Sequence, residues 1–209
     1  TLWTHDPHEI EMLSTKREQQ EKLPGVKLPD NIAIEADLET ALTDEDVVVM
    51  AVPSPVVRTV AKQMSPFVKD GQIIVNVAKG IEDVTYKTLS DIIEEEIPNA
   101  EVCVLSGPSH AEEVGIGIPT TVVIGAKNKK TAEMLQDVFM NKVFRVYTSS
   151  DIIGIELGGA LKNVIALAAG TVDGLGYGDN TKAALMTRGI AELTRLGEAM
   201  GGKPETFSG

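Results

Sequence analysis

The sequence predicts an α/β protein: a doubly wound parallel sheet followed by the start of an all-helical domain. Short β-branched apolar runs alternate with amphipathic segments over residues 1–148, which is typical of strands covered by helices on both faces. After Tyr147 the apolar residues recur at helical spacing, behind residues that often cap helices. We therefore predict two domains, residues 1–148 and 149–209.

The predicted strands are short and bounded by polar or turn residues. Residues 1–3 resemble the end of a strand, and the β-branched runs that follow are too short for core helices. These runs are residues 47–52, 73–77, 102–105, 121–124 and 143–146. Helical spacing between the runs predicts helices over residues 55–64, 85–97 and 128–140.

Two long helices are predicted in the second part. Residues 152–172 are apolar on every side, as in a helix that its neighbours bury. Its glycines are costly inside a helix, so we expect them to allow close packing against another backbone; they are Gly154, Gly158, Gly159 and Gly170. A glycine-rich connection leads to a second helix over residues 180–200, which Gly201 ends.

Composition argues against several classes of partner. A formal net charge of -12 repels nucleic acid and anionic lipid. No run approaches the roughly eighteen apolar residues of a membrane span, so we expect neither nucleic-acid binding nor membrane insertion. Cys103 is the single cysteine, which excludes an internal disulfide and agrees with a reducing compartment. The three histidines lack metal-ligand spacing, so no metal site is expected.

Lys162 is the only charged residue between Glu156 and Asp173, inside an otherwise apolar helix. A buried ammonium is costly, and burial lowers its pKa toward the range that is useful in proton transfer. The alternative is a lysine that extends to the surface or pairs with a carboxylate such as Glu156. Asn163 beside it offers an amide to a substrate hydroxyl or to the backbone. Spacing alone leaves these alternatives open.

Further candidates follow the predicted strands, where open α/β sheets bind their ligands. Lys79 follows residues 73–77 and suits an anionic or carbonyl group, unless it is merely an exposed lysine at a strand end. Gly107 permits close backbone approach. The N–H groups of residues 109–111 either receive a phosphate at a helix start or form an ordinary turn. Pro55 favours a helix start.

The end of the first strand carries His5 and Asp6. In a dinucleotide fold the ribose is read at this position, and an acidic residue accepts its 2′-hydroxyl and selects NAD. His5 suits a ribose or its phosphate equally well. Asp6 followed by Pro7 is also a pattern that caps a helix.

Six collinear stretches together resemble one family, the bacterial NAD(P)-dependent glycerol-3-phosphate dehydrogenases. Their order and spacing fit along essentially the whole chain, and the Gly-Gly-Ala-Leu-Lys-Asn-Val run is the most specific. The stretches are residues 52–54, 78–80, 106–111, 144–147, 157–164 and 173–178.

The resemblance implies a Rossmann-type nucleotide domain, a helical substrate domain and an active site between them. It also implies hydride transfer between sn-glycerol 3-phosphate and dihydroxyacetone phosphate with NAD or NADP. Such an enzyme feeds glycerophospholipid synthesis, and we expect a cytoplasmic homodimer.

The resemblance assigns roles to individual residues. Lys162 is implied as the proton donor and acceptor at the substrate oxygen. Lys79 is implied to contact both the substrate and the nicotinamide end of the cofactor. Gly107, Ser109 and Asn163 are the other implied substrate residues, and His5 and Ala111 are the other implied cofactor residues.

Two segments of the family pattern are absent from this sequence. The first strand with its glycine-rich pyrophosphate loop is expected before Thr1, and the residues that hold the substrate phosphate are expected after Gly209. We therefore expect an incomplete Rossmann-type domain and a chain that is inactive by itself. A non-catalytic binding module and a related 3-hydroxy-acid dehydrogenase are the alternatives. The Ser-Gly-Pro loop and the context of Lys162 favour glycerol 3-phosphate.

Overall fold

A computed structural model describes residues 1–207 and contains two β-sheets. Two short strands, β1 (Leu2–Trp3) and β2 (Ile34–Glu35), form a ribbon. Five strands form the main sheet in chain order. They are β3 (Val47–Met50), β4 (Ile73–Asn76), β5 (Glu101–Ser106), β6 (Thr120–Gly125) and β7 (Phe144–Ser149). The runs predicted from residue 47 onward are thus confirmed as strands, and β2 was not predicted.

Eight α-helices follow or separate these strands within the described residues. They are α1 (Pro7–Lys16), α2 (Leu38–Leu42), α3 (Val57–Met64), α4 (Leu89–Glu96), α5 (Ala111–Gly115), α6 (Lys129–Phe139), α7 (Ile152–Gly174) and α8 (Asp179–Ala199). The predicted helices over 55–64, 128–140, 152–172 and 180–200 are confirmed. The helix predicted from residue 85 begins only at Leu89, because the Thr88 side chain accepts the N–H of Asp91 and caps it there.

Strand residues alternate between two cores, which is why helices cover both faces of the main sheet. Ile74 packs in one core with residues of α3 and α4. Its neighbour Val75 packs in the other core with Leu135 of α6. Successive side chains of a strand point to opposite faces, so a continuous apolar run fills both cores. The doubly wound architecture is confirmed.

The sheet is mixed rather than wholly parallel. Strand β6 runs antiparallel to β5, whereas the other neighbouring pairs are parallel. A parallel connection must return the chain along the full strand, about 20 Å for six residues. The connecting helix α5 has five residues and spans only about 7.5 Å. The predicted parallel arrangement holds for three of the four strand pairs, and the pair of β5 with β6 is the exception.

Helix α7 is buried only in its first turns. Ile152 and Ile155 pack against Val104 of the sheet, and Gly189 of α8 lies against Ile165. Beyond Leu161 most residues are exposed, including Leu167 at 75%. The expectation of a helix buried on every side was wrong there, because α8 covers only part of its surface.

The length and hydropathy of α7 match those of a membrane span, and it is the one such helix among residues 1–207. A third of its most apolar window is buried inside the protein, and its first turns pack on the sheet as a core helix does. The expectation that no segment approaches a membrane span was therefore wrong by length and composition.

An apolar cleft of about 490 Å³ separates the ribbon from the main sheet. Leu2 and Trp3 of β1 line one wall, and residues of β3 line the other. Strand order runs outward from this cleft in both directions, from β1 to β2 and from β3 to β4. No hydrogen bonds join β1 to β3 across the cleft, so the described strands form two separate sheets there.

Candidate active site

Lys79 lies three residues beyond the end of β4 and points to the loop that follows β5. Its Nζ donates a hydrogen bond of 3.1 Å to Oγ of Ser109, whose hydroxyl in turn donates to the carbonyl of Gly107 at 3.3 Å. Burial lowers the pKa of Lys79, and the nearby charge of Lys162 lowers it further. Two predicted substrate residues, Lys79 and Ser109, are therefore in direct contact.

The loop after β5 depends on a glycine at 107. Gly107 has a φ of 150°, and a Cβ there would lie 2.9 Å from the carbonyl oxygen of Thr121. A side chain would push the loop away from β6 and carry Ser109 away from Lys79. The expectation of close backbone approach at Gly107 is confirmed.

Helix α7 reaches this loop through Gly159. A Cβ on Gly159 would lie 2.6 Å from Oγ of Ser106 and 3.6 Å from Cγ of Lys79. Gly154 lies close to the backbone of Gly202. The predicted close packing against another backbone is confirmed at Gly154, whereas Gly159 packs against side chains. The prediction was wrong for Gly158 and Gly170. A Cβ on Gly158 would lie 3.9 Å from the ring of Phe207, its nearest neighbour, and a Cβ on Gly170 would have no neighbour within 4 Å in the described chain.

Lys162 is exposed, and its Nζ donates to Oδ1 of Asn163 at 3.0 Å. Of the two alternatives for Lys162, the lysine that extends to the surface is the one observed in this chain, because no described element covers that turn of α7. Its suggested partner Glu156 bonds instead to Ser90 and Asn76. Gly159, three residues before Lys162 on α7, lies against the Lys79 side chain, so the two lysines lie in one region.

A second cleft, of about 330 Å³, opens at the carboxyl ends of β1 and β3. His5 lies on its rim, with its ring centroid 6.0 Å from that of Trp3, and Pro53 and Val56 form an apolar wall. Asp6 caps α1, because its Oδ1 accepts the N–H of His8 at 3.0 Å. The alternative role of Asp6 as a helix cap is thus confirmed.

Two models of one protein family match the chain. The model of the NAD-dependent glycerol-3-phosphate dehydrogenase N-terminus matches residues 1–132, and that of the C-terminus matches residues 151–209.

The chain belongs to the NAD-dependent glycerol-3-phosphate dehydrogenase family.

Relatives named glycerol-3-phosphate dehydrogenase (NAD(P)+) cover the whole chain. Those from Agathobacter rectalis and Fusobacterium nucleatum are 62% and 58% identical to it. A solved glycerol-3-phosphate dehydrogenase from Coxiella burnetii matches all of the chain and 64% of its own length, with a TM-score of 0.94 and 32% identity. The chain spans 62% and 63% of the lengths of the first two relatives. The family resemblance and the Rossmann-type fold are thus confirmed.

Ala111, the remaining predicted cofactor residue, is the first residue of α5 and is exposed. It follows Ser109 by two residues, so it stays near the Lys79 loop by connectivity. The side chain of His110 pairs with Glu112 at 2.6 Å. The helix start expected at residues 109–111 is confirmed, although α5 has only five residues.

Sequence reasoning missed a buried polar group next to these dehydrogenase residues. Asn76, Ser90 and Glu156 are each at most 5% exposed, and both Asn76 and Ser90 donate hydrogen bonds to Glu156. A signal was present, since Asn76 is the one polar residue in the apolar run 73–77. Within residues 1–207, no three His, Cys, Asp or Glu side chains lie close enough to hold a metal ion.

Proposed function

We propose that the intact protein interconverts sn-glycerol 3-phosphate and dihydroxyacetone phosphate by hydride transfer with NAD or NADP. The observation that carries this proposal is the hydrogen bond between Lys79 and Ser109 at the carboxyl end of the sheet, beside the helix that carries Lys162. Two amines in one region repel each other, so an anionic substrate or a developing oxyanion is stabilised between them.

Lys162 acts as the general acid in the direction of ketone reduction. The nicotinamide cofactor supplies the hydride when bound. Negative charge then develops on the substrate oxygen, and the ammonium of Lys162 polarises that oxygen and gives it a proton. In the reverse direction the amine removes the proton from the hydroxyl. General acid–base help of this kind contributes about 10²- to 10⁴-fold in rate.

Lys79, Gly107, Ser109 and Asn163 orient the substrate. The Lys79 ammonium and Ser109 hydroxyl already hold each other at 3.1 Å, so little ordering is needed when substrate binds. Asn163 accepts a hydrogen bond from Lys162, which directs the amine along the open side of α7. Lys79 also contacts the nicotinamide end of the cofactor, and Ala111 lies against the cofactor.

His5 binds the adenosine end of the cofactor in the 330 Å³ cleft. The residues present fit this group, because an apolar wall at Pro53 and Val56 faces a polar rim at the carboxyl ends of β1 and β3. Oδ1 of Asp6 accepts the N–H of His8 at the start of α1, so the other carboxylate oxygen is the one available to a ribose hydroxyl. This arrangement leaves both NAD and NADP as cofactors of the proposal.

The biological setting of the proposal follows the family. Residues 1–148 form the nucleotide domain and residues 149–209 begin the substrate domain. The intact protein works as a cytoplasmic homodimer and feeds glycerophospholipid synthesis. Analytical ultracentrifugation of the intact protein tests the dimer, and a single species of monomer mass overturns that part.

An absorbance assay on the intact protein tests the reaction. NADH and NADPH are each followed at 340 nm as dihydroxyacetone phosphate is added, with dihydroxyacetone as the control. Rapid loss with the phosphorylated ketone alone is expected, and the faster cofactor identifies the preference. Loss with neither cofactor overturns the substrate assignment.

A further inference from the structure

Glu156 is a carboxyl group buried at the joint between α7 and the sheet. It is 5% exposed, and no described Lys or Arg pairs with it. Its Oε1 accepts the backbone N–H of Ser90 at 3.0 Å, and its Oε2 contacts the Ser90 hydroxyl at 2.5 Å. Burial raises the pKa of Glu156. Burial of a carboxyl group without an ion pair costs free energy. The hydrogen bonds to Ser90 offset part of this cost.

The third partner of Glu156 leads toward Lys79. Asn76 is fully buried at the end of β4, and its Nδ2 donates to Oε1 of Glu156 at 3.3 Å. The same amide donates to the carbonyl of Ala78 at 3.2 Å and accepts the N–H of Ala78 at 3.1 Å. These bonds determine which way the amide faces and hold the backbone of the residue directly before Lys79.

The geometry of α7 connects the same carboxyl to Lys162. Glu156 and Lys162 are six residues apart on one continuous helix, which is about 9 Å along its axis. Gly159 lies between them and contacts Ser106 and Lys79. The two amines therefore come from different elements, and the Glu156–Asn76 hydrogen bond joins those elements.

We propose that Glu156 is a positioning residue, which sets the place of Lys79 relative to Lys162 through Asn76 and Ala78. The inference rests on the proposed function for its effect on catalysis. The hydrogen-bonded shape of the side chain is what matters, and its charge is not required. A glutamine at 156 can accept the N–H groups of Ser90 and Asn76 through its oxygen and donate its own N–H to the Ser90 hydroxyl.

Four variants of the intact protein test the proposal. Glu156→Leu removes the link, and Glu156→Gln preserves it. Asn76→Ala keeps the Glu156–Ser90 bonds but releases Ala78, so it remains informative if Glu156→Leu does not fold. Ser90→Ala is the matched control, because it removes one hydrogen bond to Glu156 and leaves the Glu156–Asn76–Ala78 path intact.

The expected result is a fall in kcat for dihydroxyacetone phosphate reduction of about 10- to 100-fold in Glu156→Leu and Asn76→Ala. Glu156→Gln and Ser90→Ala should stay within about threefold of the parent, although Ser90→Ala lowers the melting temperature. If Glu156→Leu or Asn76→Ala folds and keeps the parent kcat, the positioning role is overturned. An equal loss of kcat in Ser90→Ala also overturns it, because stability alone would then explain the loss.

A second readout does not depend on the reaction. The acetylation rate of the Lys79 amine is measured against pH by mass spectrometry of the digested protein. Release of Lys79 from its half-buried position should raise its apparent pKa in Glu156→Leu and Asn76→Ala but not in Ser90→Ala. If the parent reduces no dihydroxyacetone phosphate while this pattern holds, the proposed function fails and the positioning of Lys79 stands. Identical Lys79 profiles in all variants overturn the positioning.

Discussion

The two ends of helix α7 lie in opposite surroundings. In the first two turns, Asp151 and Glu156 are buried at 6% and 5% exposure and their carboxyl oxygens bond to other elements. From Lys162 onward the helix is open, and Leu167 is 75% exposed. The buried end therefore determines where the helix lies, and the open end presents the amine proposed to do the chemistry. Substitutions at the two ends should have separable effects on stability and on activity.

Replacement of Lys162 should have the largest effect, and it should be on activity alone. Lys162→Ala in the intact protein is expected to lower kcat for dihydroxyacetone phosphate reduction by about 10²- to 10⁴-fold, because the proton donor is lost. The melting temperature should change little, since the side chain is exposed in the chain. Lys129→Ala on α6, which removes another exposed lysine, is the control. Near-normal turnover in Lys162→Ala would contradict the proton-transfer role.

Gly159 lies between the buried part and the open part of α7, so its substitution should affect both stability and activity. Gly159→Ala brings a methyl group to 2.6 Å from Oγ of Ser106, so the helix or the Lys79 loop must shift. Overpacking of this kind costs about 1–3 kcal/mol, and we expect a fall in kcat of about 10-fold.

The neighbouring glycine provides a matched control. A methyl group on Gly158 lies 3.9 Å from the ring of Phe207, an ordinary contact. Gly158→Ala should therefore stabilise the helix by about 0.5–1 kcal/mol with kcat unchanged. Urea unfolding and steady-state kinetics of both variants give the comparison. Equal responses at the two positions would mean that Gly159 is not a contact point.

Replacement of Asp151 should affect stability and leave the chemistry intact. Its carboxylate accepts the N–H of Gly154 at 3.0 Å, the N–H of Lys203 at 2.9 Å and the hydroxyl of Thr206 at 2.6 Å. Asp151→Ala should cost about 2–3 kcal/mol in the free energy of unfolding at neutral pH. Urea unfolding measures this, and a loss of kcat comparable to that of Lys162→Ala would contradict the separation of the two ends.

The contribution of Asp151 should also depend on pH. Burial alone would raise the pKa of Asp151, but the hydrogen bonds from Thr206, Lys203 and Gly154 outweigh burial and lower it. A carboxyl with a lowered pKa in the folded state stabilises the protein above its unfolded-state pKa. That stability is lost as the pH falls through the lowered pKa. The difference in the free energy of unfolding between the parent and Asp151→Ala should therefore shrink in acid. A difference that does not change with pH would mean that Asp151 stabilises the protein by packing and not through its charge.

Elements with a continuous apolar run could be predicted from the sequence. Such a run marks a strand covered on both faces, as in β4, and apolar spacing gave α6 within a residue at each end. The direction of β6 could not be read this way, because periodicity is the same for parallel and antiparallel strands. Strand β2 has two residues, Ile34 and Glu35, which is too few for any period.

The candidate site was predictable one residue at a time, but its contacts were not. Lys79 and Ser109 each follow a strand, and adjacent strands bring them together. The bond between Glu156 and Ser90 joins residues 66 positions apart, and local patterns carry no information about such a pair. The sequence left the exposure of Lys162 open, because an apolar helix fits both a buried lysine and one that extends to the surface.

The smallest expected effect is at Gly170, on the open end of α7, and it tests how open that end is. No atom lies within 4 Å of a Cβ placed there, so in the 209-residue chain Gly170→Ala should gain about 0.5–1 kcal/mol from helix propensity alone. Thermal unfolding of the parent and the variant measures this gain. A loss in the chain itself would contradict the open surface described for this half of α7.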